Sequence, residues 1–400
     1  MNTKQFILFF LFLFSGIVCA QKKEVQPYID FLKQQKTDPV DYIFDLFEKY
    51  DIVVLGERDH RDTTQYELFT KIISDPRFIE KVGNVFTEVG VHNQRDRANE
   101  VLKGNYASYA DFEKELRKLY RDMDYEPMWA CYNYWILLSS IYKVNSKLPE
   151  KDKISYYPTD IEYDWGIVDT HRQQKAFKEF VSTGIRDGYM GYHFIHDYER
   201  ILKDSNQHRK KALVIFNRPH SYQSYVTFRG DSDNYAASYI FNKYPGKVAN
   251  VMMNWVVFQK SGKDYLISQG RWDAAFRALG NPSLGFDFAN TPFGNNAFDH
   301  YDQTETNAIG YKDVYTGFIF YKPINEWVFT SGISNIIDED FKPEYKRRLY
   351  LVKEKLTEEE IESDIRYQNN SKSYNPKEGY GYREDTPQDS IESYINYWLK

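Results

Sequence analysis

The sequence predicts an α/β fold around a mostly parallel central sheet, and three observations carry that expectation. Residues 51–56 (Asp-Ile-Val-Val-Leu-Gly) and 211–216 (Lys-Ala-Leu-Val-Ile-Phe) are nearly unbroken apolar runs, the mark of strands buried on both faces. Between the first run and a second one at 84–89, Tyr66, Phe69, Ile72 and Ile73 recur at helical spacing from about Thr63. Strand, helix and strand in so short a span form a βαβ unit, whose two strands must run parallel.

Upstream, Tyr28, Phe31 and Leu32 mark one amphipathic helix and Tyr42, Ile43, Leu46 and Phe47 a second, with Pro39 between them. Residues 91–145 carry helical periodicity, including the aromatic segment 129–142, and are expected to form a helical insertion over the mouth of the sheet. A third strand is predicted at 153–158, followed by Thr159 and Asp160. Helices are predicted over 168–182 and 184–203, a fifth strand over 248–258 and a late strand over 317–321. The α/β domain is expected to span residues 21–335. Residues 336–400 turn charged and Tyr-rich, with a turn-rich break near 369–381, and read as a C-terminal appendage. There is no internal repeat.

The first twenty residues have the three-part layout of a secretory signal peptide: Lys4, an apolar core from Phe6 to Phe14, and small residues at Val18-Cys19-Ala20. The apolar run falls short of the roughly 20 residues that span a bilayer. Export to the periplasm or the medium is therefore expected, with no membrane span after cleavage. An uncleaved anchor and a lipid anchor on Cys19 are the alternatives, although Val18 is atypical before a lipidated cysteine. Cleavage removes Lys4 and no acid, moving the net charge from −6 to −7. That acidity argues against a nucleic-acid partner. Cys131 is then the only cysteine, so no intramolecular disulfide can form and the core must be held by packing.

Ligands of parallel sheets bind beyond the carboxyl ends of the strands, so the residues that end each apolar run matter most. Glu57 and His60 follow the first, Glu88 ends the second, Asp160 follows the third, and Asn217, Arg218 and His220 follow the fourth. Each alone could be a capping or solvated loop residue. Four strands ending in ionisable groups, two in histidines, point instead to one polar site. Glu88 continues an apolar strand and so needs a buried partner. His193 and His196, three apart on a predicted helix, lack a third ligand in register and are expected on an exposed face. His92, His171, His208 and His300 have no assigned role. Arg95 and Arg97 read as helix surface. The chain lacks a Gly-x-Ser-x-Gly elbow, and Cys131 sits in an apolar stretch as inert packing.

Gly56-Glu57-x-x-His60, then a helix and a strand ending in Glu88, resembles the superfamily of erythromycin esterases, TIKI metalloproteases and ChaN-like iron- or haem-binding proteins. Arg186-Asp187-x-x-Met190, Asn217-Arg-Pro-His220 and the position of Asp160 resemble the erythromycin-esterase branch, over roughly residues 40–325. The sequence departs at Arg58-Asp59 and Arg61, where charge replaces the small or aromatic residues of esterases and argues against a macrolide substrate. The resemblance implies a hydrolase in which water attacks an ester or related acyl bond of a small molecule or peptide. His60 would be the general base, oriented by Glu57 or Glu88, and His220 the oxyanion donor or acid. Asp160, Asn217 and Arg186 would bind substrate, and no cofactor would be needed. The alternative is that His60, Glu57, Glu88 and His220 hold zinc, manganese or iron, making a metallopeptidase or an envelope iron or haem binder.

Overall fold

The computed structural model describes residues 23–223, 235–257, 265–299, 309–375 and 388–400. The expected signal peptide at 1–20, with Cys19, lies outside these residues. The strands are β1 Ile52–Glu57, β2 Asn84–Val91, β3 Ser155–Asp160, β4 Ala212–Asn217, β5 Val248–Met253, the short ribbon β6 Val256–Val257 with β7 Tyr265–Leu266, β8 Leu284–Asp287, β9 Gly317–Phe320, β10 Phe329–Ser331 and β11 Lys372–Tyr374. Seven of them form the central sheet, in the order β3-β2-β4-β1-β5-β9-β8. All neighbours in it are parallel except β8 and β9. The α/β expectation is met. β1 and β2 run parallel, with β4 inserted between them.

The unbroken apolar runs have a direct cause. Val53 and Leu55 face one core with Val85 and Ile215, while Ile52 and Val54 face another with Phe86, Val214 and Phe216. Helices Thr63–Ser74, Arg95–Lys103, Tyr109–Tyr120 and Tyr132–Asn145 feed the first core. Helices Arg186–Lys203 and Ala236–Lys243 feed the second through Met190, Phe194, Ala236 and Ile240. Each such aliphatic or aromatic side chain contributes about 1.5–3 kcal/mol relative to exposure. A third, aromatic-rich core lies around β8 and β9. The edge strand β8 was not foreseen, being only four residues long.

The helices of segment 91–145 cover a face of the sheet, and its Trp129 and Tyr134 reach the mouth. Residues 336–400, expected as an appendage, contribute to the same interior. Tyr345, Ile361 and Ile365 join the first core, and Ile391, Ile395 and Trp398 the third. Their charged surfaces mask short apolar stripes. Among the described residues no helix is long and apolar enough to cross a membrane.

Candidate active site

Parallel strands deliver their carboxyl ends to one edge of the sheet. Glu57 ends β1 level with Asn217 at the end of β4, and Thr87 pairs with Ile215, which puts Glu88 one step short of that level. Just past Glu88 the β2–β3 register slips, with Gly90 at a φ of +112°. Gly56 is required where it stands, since a Cβ there would lie 2.9 Å from Ser221 Oγ on the turn that carries His220.

The loop holding His60 is pinned at both ends. Asp62 caps the helix Thr63–Ser74 by accepting from the Thr64 and Gln65 amides. The Gln65 side chain accepts from Arg58 N at 2.7 Å and donates to the Asp59 carbonyl at 2.6 Å. His60 Nδ1 then lies 2.8 Å from Glu57 Oε2, and Tyr134 donates its hydroxyl to that same oxygen at 2.9 Å. Trp129 stands edge-on to the His60 ring, with centroids 4.8 Å apart.

A second dyad faces the first. His220 Nδ1 lies 2.7 Å from Asp187 Oδ1, which also accepts from Ala236 N. The two Nε2 atoms aim at one oxygen, Glu88 Oε1, from 3.8 Å (His60) and 3.4 Å (His220). Neither makes a direct hydrogen bond to it, so both remain available to a reacting group. Arg186 Nη1 is 3.1 Å from the same oxygen and grips Asp160 through two 2.8 Å bonds. Asn217 donates its backbone N–H to Glu88 Oε2 at 2.6 Å.

Buried charge sets the proton affinities. Burial disfavours a charged His60, but Glu57, Glu88 and Asp59 outweigh it and raise its pKa to about 9. His220 is raised likewise, with Glu88 and Asp187 prevailing over burial. For Glu88 burial favours the neutral acid, yet His220, Arg186 and His60 bring its pKa down to about 2. Four carboxylates (Glu57, Glu88, Asp160, Asp187) thus surround one arginine and two imidazoles, and this negative charge raises the proton affinity of both rings.

The structure brings Glu57, His60, Glu88, Asp160, Arg186 and His220 together. Arg186, expected with Asp160 to bind substrate, instead links Asp160 to Glu88, and Asn217 contributes through its backbone. The charge expected beside the site from Arg58-Asp59 and Arg61 is neutralised within pairs. Arg58 is buried against Asp62 at 2.7 Å and stacks on Trp327, while Arg61 holds Asp59. Tyr134, Trp129 and Asp187 escaped the sequence analysis. So did Asp124, whose carboxyl is pushed up to about 7 by burial, with the Asp160 charge adding to it. Only Asp187 left a trace, inside the Arg-Asp-x-x-Met string. Cys131 is buried, and burial holds its thiol well above the ordinary range.

The four residues weighed as metal ligands fit a cation poorly. The Arg186 guanidinium already lies 3.1 Å from Glu88 Oε1, the oxygen nearest both Nε2 atoms, and its positive charge disfavours a second cation there. Among the described residues, ligand atoms gather closely enough for a metal elsewhere, around His92.

No protein-family model matches the chain, and no curated protein matches it in sequence. Among solved structures it is similar to a variant of the erythromycin esterase EreC in its open conformation, at 11% identity, over 75% of this chain and 96% of that one, with a TM-score of 0.47. It is similar to a succinoglycan biosynthesis protein at 12% identity, over 76% and 97% of the two chains, with a TM-score of 0.43. ChaN of Campylobacter jejuni, described with cofacial heme binding, is similar at 13% identity over 56% and 89%, with a TM-score of 0.34. No activity passes to this chain from likenesses of that order.

Proposed function

We propose that this chain is an exported hydrolase of the erythromycin-esterase-like type, in which His60 activates water against an ester or related acyl bond. The observation that carries this reading is the pair of histidine–carboxylate dyads whose Nε2 atoms both lie within 4 Å of one oxygen of Glu88, at 3.8 and 3.4 Å. His60, in its neutral form, takes a proton from water as the water oxygen bonds to the acyl carbon. Glu57 fixes the ring through Nδ1 and stabilises the imidazolium formed. His220, whose proton affinity Glu88 and Asp187 raise, donates in its protonated form to the developing oxyanion and then to the leaving oxygen as the acyl C–O bond breaks. Arg186 and the Asn217 amide keep Glu88 ionised between the rings. Trp129 offers an apolar wall for the acyl group or the leaving group. No metal is needed in this scheme, and the position of Arg186 against Glu88 supports that.

The test is a screen of esters and peptides against the wild type, followed by His60→Ala. Loss of the positioned base should lower turnover about 10²–10⁴-fold with the fold intact. The His60→Ala/His220→Ala double variant should lose less than the product of the single losses, because the two act as a unit. Near-normal turnover in His60→Ala, or turnover abolished by chelation and restored by one ion, would overturn the scheme. Export is proposed on the layout of residues 1–20. N-terminal sequencing of protein from its native envelope should begin at Gln21; intact Met1 would refute cleavage, and an acylated Cys19 would make the chain a lipoprotein.

A further inference from the structure

A second histidine cluster lies roughly 10 Å along the helix Arg186–Lys203 from Arg186, at seven residues of 1.5 Å rise. It joins three elements. His92 follows β2, Glu162 follows β3, and His193 comes from the helix. His193, expected on an exposed face, keeps only 5% of its surface, and its missing third ligand comes from other parts of the chain.

Hydrogen bonds fix the tautomer of each ring. His193 Nδ1 donates to the Thr159 carbonyl at 2.9 Å, which leaves a lone pair on Nε2. His92 Nε2 donates to Asp197 Oδ2 at 3.0 Å, which leaves a lone pair on Nδ1. That lone pair faces Glu162 Oε1 at 3.5 Å, without a hydrogen bond between them. His92, Glu162 and His193 each offer one ligand atom, and the three atoms lie within 4.8 Å of one another. Two imidazole nitrogens and a carboxylate oxygen, each able to give an electron pair to a cation, are thus gathered in one place. A carboxylate or carbonyl behind each ring is the usual support of a metal-bound histidine.

We propose that His92, Glu162 and His193 form a binding site for a divalent transition metal of the zinc class, separate from the catalytic centre. Two imidazoles and one carboxylate with an open fourth position are a donor set that zinc accepts. His92, His196 and Asp197 form an overlapping group. Asp197 is spent, however, since Arg95 Nη1 holds its Oδ1 at 2.5 Å and His92 its Oδ2. It serves as a support and not as a ligand. The His92 and His193 rings now stack in parallel, with centroids 3.9 Å apart and planes 6° apart. Metal entry therefore splays the stack, so that both lone pairs point at the ion. Glu162, with a side chain 65% exposed, closes on it from the solvent side.

The test titrates Zn²⁺ into the full chain after chelator treatment and dialysis, read by competition with a chromophoric chelator and by Co²⁺ absorption. One ion per chain is expected, with affinity falling on acidification as the ligands protonate. Glu162→Gln, an exposed change that leaves the core alone, should weaken binding at least about tenfold, and Asp197→Asn by about 10–100-fold. His92→Gln should abolish the Co²⁺ spectrum, while His60→Ala/His220→Ala should keep stoichiometry and spectrum. Absence of binding by the wild type, or binding indifferent to Glu162→Gln, would overturn the proposal. Binding lost only in His60→Ala/His220→Ala would place the metal at the catalytic centre and overturn the metal-free scheme with it. A failure of the hydrolase reading alone would leave the zinc titration unchanged.

Discussion

Glu88 and Asp197 are both buried carboxylates among histidines and arginines, yet His60 and His220 beside the first and the buried His193 in the cluster of the second are shifted in opposite directions. At Glu88 every ring has a second carboxylate behind it, Glu57 for His60 and Asp187 for His220, and both pKa values rise. Near Asp197, burial drives the pKa of His193 down; its Nδ1 meets a neutral carbonyl, and its face meets another imidazole. The neutral carbonyl behind the buried His193 ring leaves Nε2 with a lone pair, whereas the carboxylates behind His60 and His220 favour the proton. One cluster is thereby suited to proton transfer and the other to coordination.

Two measurements sharpen or break this contrast. The larger effect is on the pH profile. A base with a pKa of about 9 is mostly protonated at neutrality, so kcat/KM should climb about tenfold per pH unit from pH 6 and level off near pH 9. Between pH 7 and 9 the gain should be about fiftyfold, and a profile already flat at pH 7 would remove His60 from the role of base. Any descending alkaline limb would report the His220 proton. The smaller effect comes from Asp187→Asn, which strips the carboxylate behind His220 while leaving its shape. Turnover should fall roughly tenfold or more, as when the group orienting a catalytic histidine is neutralised. The alkaline limb should move to lower pH, because the ring loses a charge that raised its pKa. An unchanged limb would mean that Asp187 only anchors Ala236.

Much of the candidate site was legible because parallel strands deliver the residues that end them to one edge of the sheet. Glu57, His60, Glu88, Asp160 and His220 all stand at or just beyond the end of an apolar run, where a strand hands its last side chains to the crevice. The His60–Glu57 pair is separated by three residues and could be read as a unit. Its counterpart could not, since Asp187 reaches His220 across 33 residues and its helix carries no pattern that announces the contact. Tyr134 and Trp129 were hidden for the same reason, as aromatics among many in a helical stretch. The His92 cluster was illegible because its ligands come from three elements, and the spacing of His193 and His196 suggested a partnership that the fold does not use. Arg58 misled in the other direction. Its charge looked like part of the site, while a local pairing with Asp62 and a stack on Trp327 bury it.

The place of β4 between β1 and β2 has a consequence for the order in which the molecule assembles. The first βαβ unit leaves a gap between strands that are neighbours in sequence, and residues 212–217 must fill it more than a hundred positions later. From the first βαβ unit Glu88 has only His60 beside it, 3.8 Å away. Arg186, the Asn217 amide and His220 all arrive with that late closure. Long-range parallel pairing is slow, because the loop must close before its contacts repay the entropy. Until residue 217 is in place the sheet therefore keeps an open edge between β1 and β2, and Glu88 lacks the Asn217 amide and His220. The catalytic centre forms in the same event as the middle of the sheet.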